Sequence, residues 1–248
     1  MSNASLDIAF HDRIDKDPSY LKKFWVGLMD GDGSIQVNHW RKKSLQYRLI
    51  IKLKNCSENV YMLTLISKKI GGKVRFVNNN NFVIWVVDSK KSILNIITIF
   101  NDYPPLTSRL NCQIKFLLEC LQRNDVEWYL KVRNSKYLDR PQIQSGILID
   151  YSYFNEWLSG FTEAEGCFSI RKNTTSSFSI GQNDDKYLIN AIRTHFNIQS
   201  LIRNPHKTFW LIETYRISTL HTIIQHFTVY PLLGEKKVSF TKFKDLIK

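Results

Sequence analysis

The chain has 248 residues, 43% of them hydrophobic, which is enough to build two globular domains that each bury a core. No apolar stretch approaches the ~20 residues that span a bilayer, so an integral membrane protein is not expected. Lys and Arg number 35 against 22 Asp and Glu, and the resulting formal charge of +13 favours a polyanionic partner, with nucleic acid as the first candidate. The four cysteines form no CxxC pair, which argues against a structural zinc site.

The first half is predicted to alternate helices with pairs of strands. Residues 19–31 have helical spacing, and Gly33 provides a stop that helices favour. Residues 47–54 alternate apolar with basic side chains, which predicts a strand with a basic outer surface. The remaining elements are a helix over 58–70, a strand hairpin over 73–76 and 81–87, and helices from about 89 and 106.

The second half repeats this order. Its elements are a helix over 151–164, strands near 167–172 and 177–182, a helix over 186–196, strands near 199–204 and 208–218, and helices from about 219 and 232. Each half is interpreted as an αββαββα unit, an α+β plan in which helices pack on one face of an antiparallel sheet and leave the other face to a ligand. The predicted organisation is a first repeat over 1–122, a polar linker over 123–150 and a second repeat over 151–248.

A nine-residue pattern occurs once in each half. Residues 25–33 read WVGLMDGDG and residues 158–166 read LSGFTEAEG, so both copies end in two acids and a glycine. The copies lie 133 positions apart, whereas Asn55 and Gln182 lie 127 apart, as do two Tyr-Pro pairs that begin at 103 and 230. The six extra residues of the first half are predicted to lengthen its first hairpin near 39–44. An internal repeat of this kind predicts two equivalent domains.

Small residues four positions apart form a smooth stripe on each motif helix. The stripes consist of Gly27 with Gly31 and of Gly160 with Ala164. Because small residues let two helix backbones approach closely, the stripes are predicted to pack against each other at the interface between the halves.

That packing would bring the acids Asp32 and Glu165 side by side at the helix ends. Asp30 and Glu163 stand two residues earlier and are rotated by about 200°, so they are expected to bond within their own halves. Two carboxylates at helix C-termini repel each other and face the negative ends of the helix dipoles, and a divalent cation is the natural remedy. Hard oxygen ligands of this kind favour Mg²⁺.

The two motifs resemble those of LAGLIDADG homing endonucleases of the single-chain, two-motif type. The resemblance implies a monomer whose two sheets form a saddle over double-stranded DNA with a long specific site. It also implies that Asp32 and Glu165 bind Mg²⁺ with the backbone carbonyls of Gly31 and Ala164, with Ca²⁺ able to support binding and Mn²⁺ able to support cleavage. The implied reaction is hydrolysis of a phosphodiester in each strand, as in intron homing.

Four further catalytic residues are expected from the same resemblance. Gln182 occupies the place of a polar residue that orients water, and Asn55 offers the same amide chemistry in the first half. Lys236 matches a lysine that stabilises charge near the scissile phosphate, and Arg109 replaces it in the first half. Arginine is a poor proton shuttle because it stays charged, so the two strands are expected to be cut at unequal rates. The alternative for both cations is a solvated charge at a helix start.

The strand residues that point away from the helices are candidates for contacting DNA, because phosphate contacts set the register and polar side chains read base edges. A charged strand face is also normal for any exposed sheet. The candidates are Gln36, Asn38, Arg48, Lys52, Lys54, Lys73, Arg75, Arg171, Ser177, Ser179, Arg203, Asn204 and Arg216.

Alternatives to this interpretation remain at the level of the sequence. The segment around Asp30 and Asp32 could be an ordinary acidic turn, although its repetition argues against this, and a calcium loop fails because Ile35 and Arg41 stand where Gly and Glu are needed. The function could also be that of an RNA maturase acting on the host intron RNA, or of a catalytically silent DNA-binding regulator. Abundant Ile, Asn, Lys, Phe and Tyr suggest an AT-rich coding sequence, as in a mitochondrial genome.

Overall fold

The computed structural model describes residues 19–138, 140, 145–170 and 176–247. The elements of the first half are α1 (Tyr20–Gly31), β1 (Gly33–Trp40), β2 (Ser44–Lys54), α2 (Ser57–Ile70), β3 (Lys73–Val77), β4 (Phe82–Val87), α3 (Lys90–Asp102) and α4 (Ser108–Arg123). Next come α5 (Val126–Val132) and α6 (Ser145–Ile149). The elements of the second half are α7 (Phe154–Glu165), β5 (Gly166–Ile170), β6 (Ser176–Asn183), α8 (Lys186–His195), β7 (Arg203–His206), β8 (Phe209–Thr214), α9 (Ile217–Val229) and α10 (Glu235–Leu246).

The two halves build equivalent four-stranded antiparallel sheets. The strand order is β1-β2-β4-β3 in the first sheet and β5-β6-β8-β7 in the second. Each half therefore follows the predicted α+β plan, and the prediction of two repeated units is confirmed. The summary αββαββα omits one helix, because each half ends in two helices, from α3 to α4 and from α9 to α10.

Strand β2 illustrates why one face of each sheet is apolar. Its side chains alternate, with Tyr47, Leu49 and Ile51 buried under the helices and Arg48 and Lys52 exposed on the opposite face. A period of two places one set on each side of a pleated sheet. The predicted basic outer surface of this strand is confirmed.

Only four of the six extra residues of the first half lie in the first hairpin, where the sequence predicts all six. Gly33 pairs with Ile51, 18 positions on, whereas Gly166 pairs with Ile180, 14 positions on, so the first hairpin accounts for only four of the six. Two positions further along each strand lie Leu53 and Gln182. Leu53 and Gln182 are 129 positions apart, whereas their pairing partners Val83 and Trp210 are 127 apart. The last two extra residues therefore lie between β2 and β4. The predicted equivalence of residue 55 with Gln182 is therefore wrong.

The halves meet along α1 and α7, whose backbones touch. A Cβ added to Gly27 would lie 1.9 Å from the carbonyl oxygen of Trp157, and one added to Gly160 would lie 1.8 Å from that of Phe24. Near the C-terminal ends, a Cβ on Gly31 would lie 2.2 Å from that of Ala164. The small residues thus occupy the positions where the two helices are closest.

Reciprocal hydrogen bonds between the halves repeat this pseudo-twofold symmetry. The hydroxyl of Tyr20 in α1 donates to the carbonyl of Pro231 at 2.7 Å, and the hydroxyl of Tyr153 before α7 donates to that of Pro104 at 2.5 Å. Because each contact joins a motif helix to a loop of the opposite half, the two halves are fixed relative to each other.

Two helix starts are capped across the same interface. The N–H of Ser108 at the start of α4 donates to Asp185 of the second half at 3.0 Å. In return, the N–H of Glu235 at the start of α10 donates to Oδ1 of Asn59 in the first half at 3.0 Å. These bonds satisfy N–H groups that a helix start leaves without an intrahelical partner.

The outer edge of β1 is covered by α4 and by α5, the helix that follows α4 in the segment between the repeats. Gln113 of α4 accepts a hydrogen bond from the N–H of Ile35 at 2.8 Å, and the hydroxyl of Tyr129 in α5 donates to the carbonyl of Val37 at 2.9 Å. Both backbone groups belong to the outer edge of β1, the first strand of the sheet. An edge strand is thereby covered, which prevents unwanted strand pairing. In the part of the chain that the structure describes, no helix has the length and apolar character needed to cross a membrane.

Two histidines pack in the aromatic core of the second half, where His226 is buried and His195 is half-buried. Nε2 of His195 and Nδ1 of His226 lie 3.3 Å apart. Burial lowers the pKa of both rings, and together with the charge of His195 it lowers the pKa of His226 to about 3.

This pair predicts a loss of stability in acid. The unfolded chain takes up a proton on His226 near pH 6.5 and the folded chain only near pH 3, so the stability is complete above pH 6.5 and declines below it. Between these two pKa values, His226 is expected to lower the free energy of unfolding by about 1.4 kcal/mol for each unit by which the pH falls. Denaturant unfolding between pH 4 and 7 should show a shallower decline for His226→Phe than for the exposed control His221→Phe. Parallel pH profiles for the two variants would contradict this account.

Candidate active site

The two motif helices end side by side, each with a carboxylate at its tip. Asp32 closes α1, its backbone N–H bonded to the carbonyls of Leu28 and Met29, and Glu165 is the last residue of α7. A Cβ built on Gly31 would lie 3.4 Å from Cγ of Glu165, so the second acid lies against the end of the first helix. The structure therefore brings together the two acids that the sequence singles out.

Both carboxyl groups hold their protons more tightly than usual. Burial raises the pKa of Asp32, while the charges of Lys236 and Arg109 act in the opposite direction. Burial and the negative charge of Asp32 raise the pKa of Glu165 to about 7 against the same two cations. Asp32 is exposed at its outer side, but the surrounding protein leaves its carboxylate poorly solvated. The two negative charges repel each other, and a cation between them would lower both pKa values.

The other acid of each motif is buried and caps a helix of its own half. Asp30 accepts hydrogen bonds from the N–H groups of Leu106 at 2.7 Å and Thr107 at 3.1 Å, just before α4. Glu163 accepts from those of Leu233 at 3.2 Å and Lys236 at 2.8 Å, at the start of α10. Both acids therefore bond to backbone groups of their own halves, as the sequence predicts, although Asp30 also has a partner in the opposite half.

Asp30 has one further partner that the sequence does not reveal. Nε1 of Trp157, in the opposite half, donates to its carboxylate at 2.7 Å. Burial raises the pKa of Asp30 to about 6 and that of Glu163 to about 7, although the hydrogen bonds act against this. No local signal identifies Trp157, because its contact with Asp30 joins residues 127 positions apart.

Arg109 and Lys236 begin equivalent helices, yet their contacts differ. The guanidinium of Arg109 donates to four carbonyls at the end of α1, those of Gly33 (2.7 Å), Asp30 (2.7 Å), Gly31 (3.1 Å) and Met29 (3.2 Å). A cation there counters the negative end of the helix dipole. The ammonium of Lys236 forms no hydrogen bond with the described residues, and its charge acts on Asp32 and Glu165. Arg109 thus positions a helix end, whereas Lys236 is available to a ligand.

The two predicted amides also differ. Gln182 lies in β6, is buried and points to the same side of the sheet as Ile180. Asn55 lies beyond the end of β2, where its Nδ2 donates to the carbonyl of Asn80 in the β3–β4 turn at 2.7 Å. Its side chain therefore stabilises a turn. The position equivalent to Gln182 is occupied by Leu53, so the first half has no amide there.

The candidate DNA contacts of the first half share one face of the sheet. Register places Gln36 opposite Arg48, and Lys52 and Arg75 on either side of Ile84. The exposed members of this face are Gln36, Asn38, Arg48, Lys52, Lys54, Lys73 and Arg75. Two of them have acidic partners, because Lys54 lies 3.3 Å from Glu235 and Arg75 lies 3.6 Å from Asp88. Such exposed pairs exchange readily for phosphates.

The equivalent face of the second half is less basic. Ser177 is buried and donates to Glu213 at 3.1 Å, so its prediction as a reader of bases is wrong for this conformation. Glu213 also pairs with Arg203. Ser179 is half-buried opposite Glu213, Asn204 donates to the carbonyl of Phe209 at 3.2 Å, and Arg216 is exposed before α9. Arg171 lies outside the described residues.

The acid pair fits a hard divalent cation. Among the described residues, neither Asp32 nor Glu165 accepts a side-chain hydrogen bond, and their pKa values stay raised although Lys236 and Arg109 act against this. The described residues contain no group of three or more His, Cys, Asp or Glu placed to hold a metal, so these two acids would be the only carboxylate ligands. Mg²⁺ tolerates few protein ligands because it retains waters. The Gly31 carbonyl keeps a second lone pair beside its bond from Arg109.

The family follows from the comparison with known sequences. The model of the LAGLIDADG endonuclease family matches residues 25–120 and 158–247, which include both motifs. The chain belongs to the LAGLIDADG endonuclease family. Both motif helices, with the acids at their ends, lie largely within the matched residues.

Individual relatives agree with this assignment. The chain is 51% identical over 233 residues to a probable intron-encoded endonuclease aI3 of Dictyostelium citrinum, covering 92% of this chain and 96% of that protein. It is 41% identical to a protein of the same description from Debaryomyces hansenii, but spans about half (47%) of its length. The solved structure of the LAGLIDADG homing endonuclease I-LtrWI bound to target DNA superposes with a TM-score of 0.73 at 21% identity, covering 92% of this chain and 90% of that one. At this identity the likeness supports the fold.

Proposed function

We propose that this chain is a site-specific, Mg²⁺-dependent DNA endonuclease that cuts both strands of an intron insertion site. The observation that carries the proposal is the convergence of Asp32 and Glu165 at the ends of two packed helices, with raised pKa values and no protein donor in the described residues. Membership of the LAGLIDADG endonuclease family supports the class of reaction. The relative from Dictyostelium citrinum, which is described as an intron-encoded endonuclease, supports the biological setting.

The proposed roles of the residues combine the family resemblance with their positions in the structure. Asp32 and Glu165 would hold the cation, together with the carbonyls of Gly31 and Ala164. A bound Mg²⁺ would supply a Lewis acid that lowers the pKa of water and neutralises charge on the phosphate. Lys236 would place its ammonium against the scissile phosphate, and Gln182 would orient water in the second half.

The exposed sheet faces are the proposed DNA surface. On the first sheet, a row of cations flanked by Gln36 and Asn38 would bind phosphates while the amides reach base edges. Both acids come from one chain, so a single copy is expected to suffice for cleavage and the protein is proposed to be a monomer. The intron-encoded relatives and the composition support a mitochondrial gene.

A plasmid cleavage assay tests the proposal. A plasmid that carries the uninterrupted host gene should be cut at one site in the presence of Mg²⁺ and should stay intact with EDTA. A matched plasmid in which the intron interrupts the same gene should not be cut, because the insertion separates the two halves of the site. Absence of cleavage, combined with tight binding to the intron transcript, would favour the RNA maturase instead.

The difference between Arg109 and Lys236 predicts unequal cutting of the two strands. The guanidinium of Arg109 is bonded to the end of α1, and Leu53 stands where the second half has Gln182. The cleavage of one DNA strand therefore lacks a counterpart of the available Lys236 ammonium and of the Gln182 amide, which are proposed to assist cleavage of the other DNA strand. A time course on supercoiled plasmid should show nicked circles accumulating before linear product, and Lys236→Met should slow the faster nick.

The control for this time course is Lys237→Met, which removes the neighbouring charge in the same helix. Simultaneous cutting of both strands by the unmodified protein, with no nicked species at any time, would contradict the assignment of unequal roles.

A further inference from the structure

The turn that joins β1 to β2 carries an unusual set of side chains. These residues, 40–43, are called the hairpin tip below and consist of one tryptophan and three cations, all exposed. Trp40 is 54% exposed, and the guanidinium of Arg41 lies 5.0 Å from the centre of its ring. In the described part of the chain, Arg41, Lys42 and Lys43 have no carboxylate within ion-pair distance. The tip is therefore a concentrated positive charge without an internal partner.

The backbone of the tip is strained in a way that its sequence does not relieve. Arg41 and Lys42 have φ values of 48° and 56°, and the N–H of Lys43 donates to the carbonyl of Trp40 at 2.8 Å. This is the geometry of a type I′ turn, which prefers Asn-Gly. Left-handed conformations are unfavourable for side chains other than those of Gly, Asn and Asp.

The neighbouring hairpin provides an internal comparison. The N–H of Asn81 donates to the carbonyl of Asn78 at 3.1 Å in the β3–β4 turn, so its central residues are Asn79 and Asn80. Their φ values are 53° and 64°, which asparagine tolerates. The hairpin tip keeps Arg41 and Lys42 at the same kind of position. Strain of this type concentrates at functional sites, where the side chain matters more than the local conformational cost.

The tip lies far out along the proposed DNA surface. Strand β1 starts at Gly33, beside Asp32, and ends at Trp40, seven residues on. At ~3.4 Å per residue this is roughly 24 Å, which corresponds to about seven base-pair steps of B-DNA. The register of the second half gives a hairpin four residues shorter, so the first repeat extends further along the duplex.

The hairpin is held rigidly enough to present the tip in one place. Its outer edge is bonded to Gln113 and Tyr129, as described above. Nδ1 of His39 accepts from the N–H of Lys42 at 3.1 Å, and the rings of His39 and Tyr129 meet edge to face at 6.2 Å. Preorganisation lowers the entropy cost of forming an interface.

We propose that the hairpin tip is an outer phosphate clamp, which binds the DNA backbone about seven base pairs from the cleavage centre on the side of the first repeat. The partner is the sugar-phosphate backbone of duplex DNA, because three adjacent cations without an ion-pair partner among the described residues match the close spacing of its phosphates. The protected DNA is consequently longer on that side than on the other. The inference rests on the proposed endonuclease function.

The decisive variant is Arg41→Asn/Lys42→Gly, for which the proposal expects opposite effects on fold and binding. Asn-Gly suits the turn, so the melting temperature should rise by about 2–4 °C. Two lost phosphate contacts should lower the slope of log K against log salt by about 2, so that between 50 and 200 mM salt the affinity of the unmodified protein falls about tenfold more than that of the variant. Hydroxyl-radical footprinting should show loss of the outermost protection on one side.

Two further variants complete the test. Arg41→Gln/Lys42→Gln removes the same charges without changing the turn preference and should reproduce the lower salt slope. Lys68→Gln/Lys69→Gln removes two exposed lysines at the end of α2 and should keep the slope and the footprint of the unmodified protein.

The results separate the possible failures. An unchanged slope and footprint in both tip variants, with normal cleavage by the unmodified protein, would overturn the clamp and leave the endonuclease assignment intact. Unchanged DNA binding with weaker binding of the intron transcript would overturn it in favour of an RNA contact. Failure of the unmodified protein to bind or cut DNA would remove the proposed function and the clamp together.

Discussion

Replacing Asp32 by Asn is expected to lower the rate of DNA cleavage about 1,000-fold or more while leaving DNA affinity nearly unchanged. The substitution keeps the shape of the side chain and removes one of two carboxylates proposed to hold the cation, whose contribution to the transition state is worth several kcal/mol. The proposed phosphate contacts lie on the sheets and are not altered by this substitution. Single-turnover cleavage in Mg²⁺ and equilibrium binding in Ca²⁺ would measure the two effects separately.

The same substitution should stabilise the metal-free fold. The charge of Asp32 is one reason why the pKa of Glu165 is raised, so its removal relieves a repulsion between two poorly solvated acids. A variant that is more stable but inactive cannot be explained by unfolding. Glu165→Gln should give the same pair of results, and Asp102→Asn, an exposed acid at the end of α3, serves as the matched control. Cleavage at the normal rate by Asp32→Asn would exclude this carboxylate from the reaction.

Replacing Gly160 by Ala is expected to destabilise the protein by about 3 kcal/mol or more, which corresponds to a fall in melting temperature of roughly 6–12 °C. The added Cβ would lie 1.8 Å from the carbonyl oxygen of Phe24 and 2.9 Å from the backbone nitrogen of Leu28. These are backbone atoms of α1 that no rotamer change can move, so the two helices must separate. The separation would also move Glu165 away from Asp32, and cleavage should fall with stability.

Gly146→Ala is the matched control for this substitution. Gly146 lies in α6 with no atom within 4 Å of an added Cβ, and alanine favours a helix more than glycine does. The melting temperature of the Gly146→Ala variant should equal that of the unmodified protein or be slightly higher. Thermal unfolding of the three proteins gives the comparison, and equal melting temperatures for the Gly160 variant and the unmodified chain would mean that α1 and α7 are not in backbone contact.

The interface between the halves illustrates how much a local pattern can predict. Glycine at 27 and 160 marks a close helix approach because only a residue without a side chain permits it. Each of these glycines is followed four positions later by another small residue, which makes the close approach visible in the sequence. The alternation of β2 likewise assigns Arg48 to the outer face without knowledge of the partners. In both cases the information lies within a few residues.

The residues predicted to assist catalysis show what a local sequence pattern cannot predict. A constant offset of 127 positions equates residue 55 with Gln182, but the strand registers make Leu53 the equivalent of Gln182. The offset is not constant because the extra residues of the first half lie in two separate loops. Arg109 is expected from its position to meet phosphate, yet its guanidinium is bonded to carbonyls of α1. Charge alone does not identify the partner that lies closest in the folded chain.

The sequence by itself determined that the chain has two equivalent halves, that each presents an acid at the end of a motif helix, and that one face of the first sheet is basic. These properties follow from periodicity and repetition, which need no long-range information. Only the tertiary structure decided that Asp185 and Asn59 cap helices of the opposite half, that Trp157 bonds to Asp30, and that Ser177 is buried. These contacts join residues that lie between 36 and 176 positions apart, and residues so far apart in the chain carry no local trace of meeting.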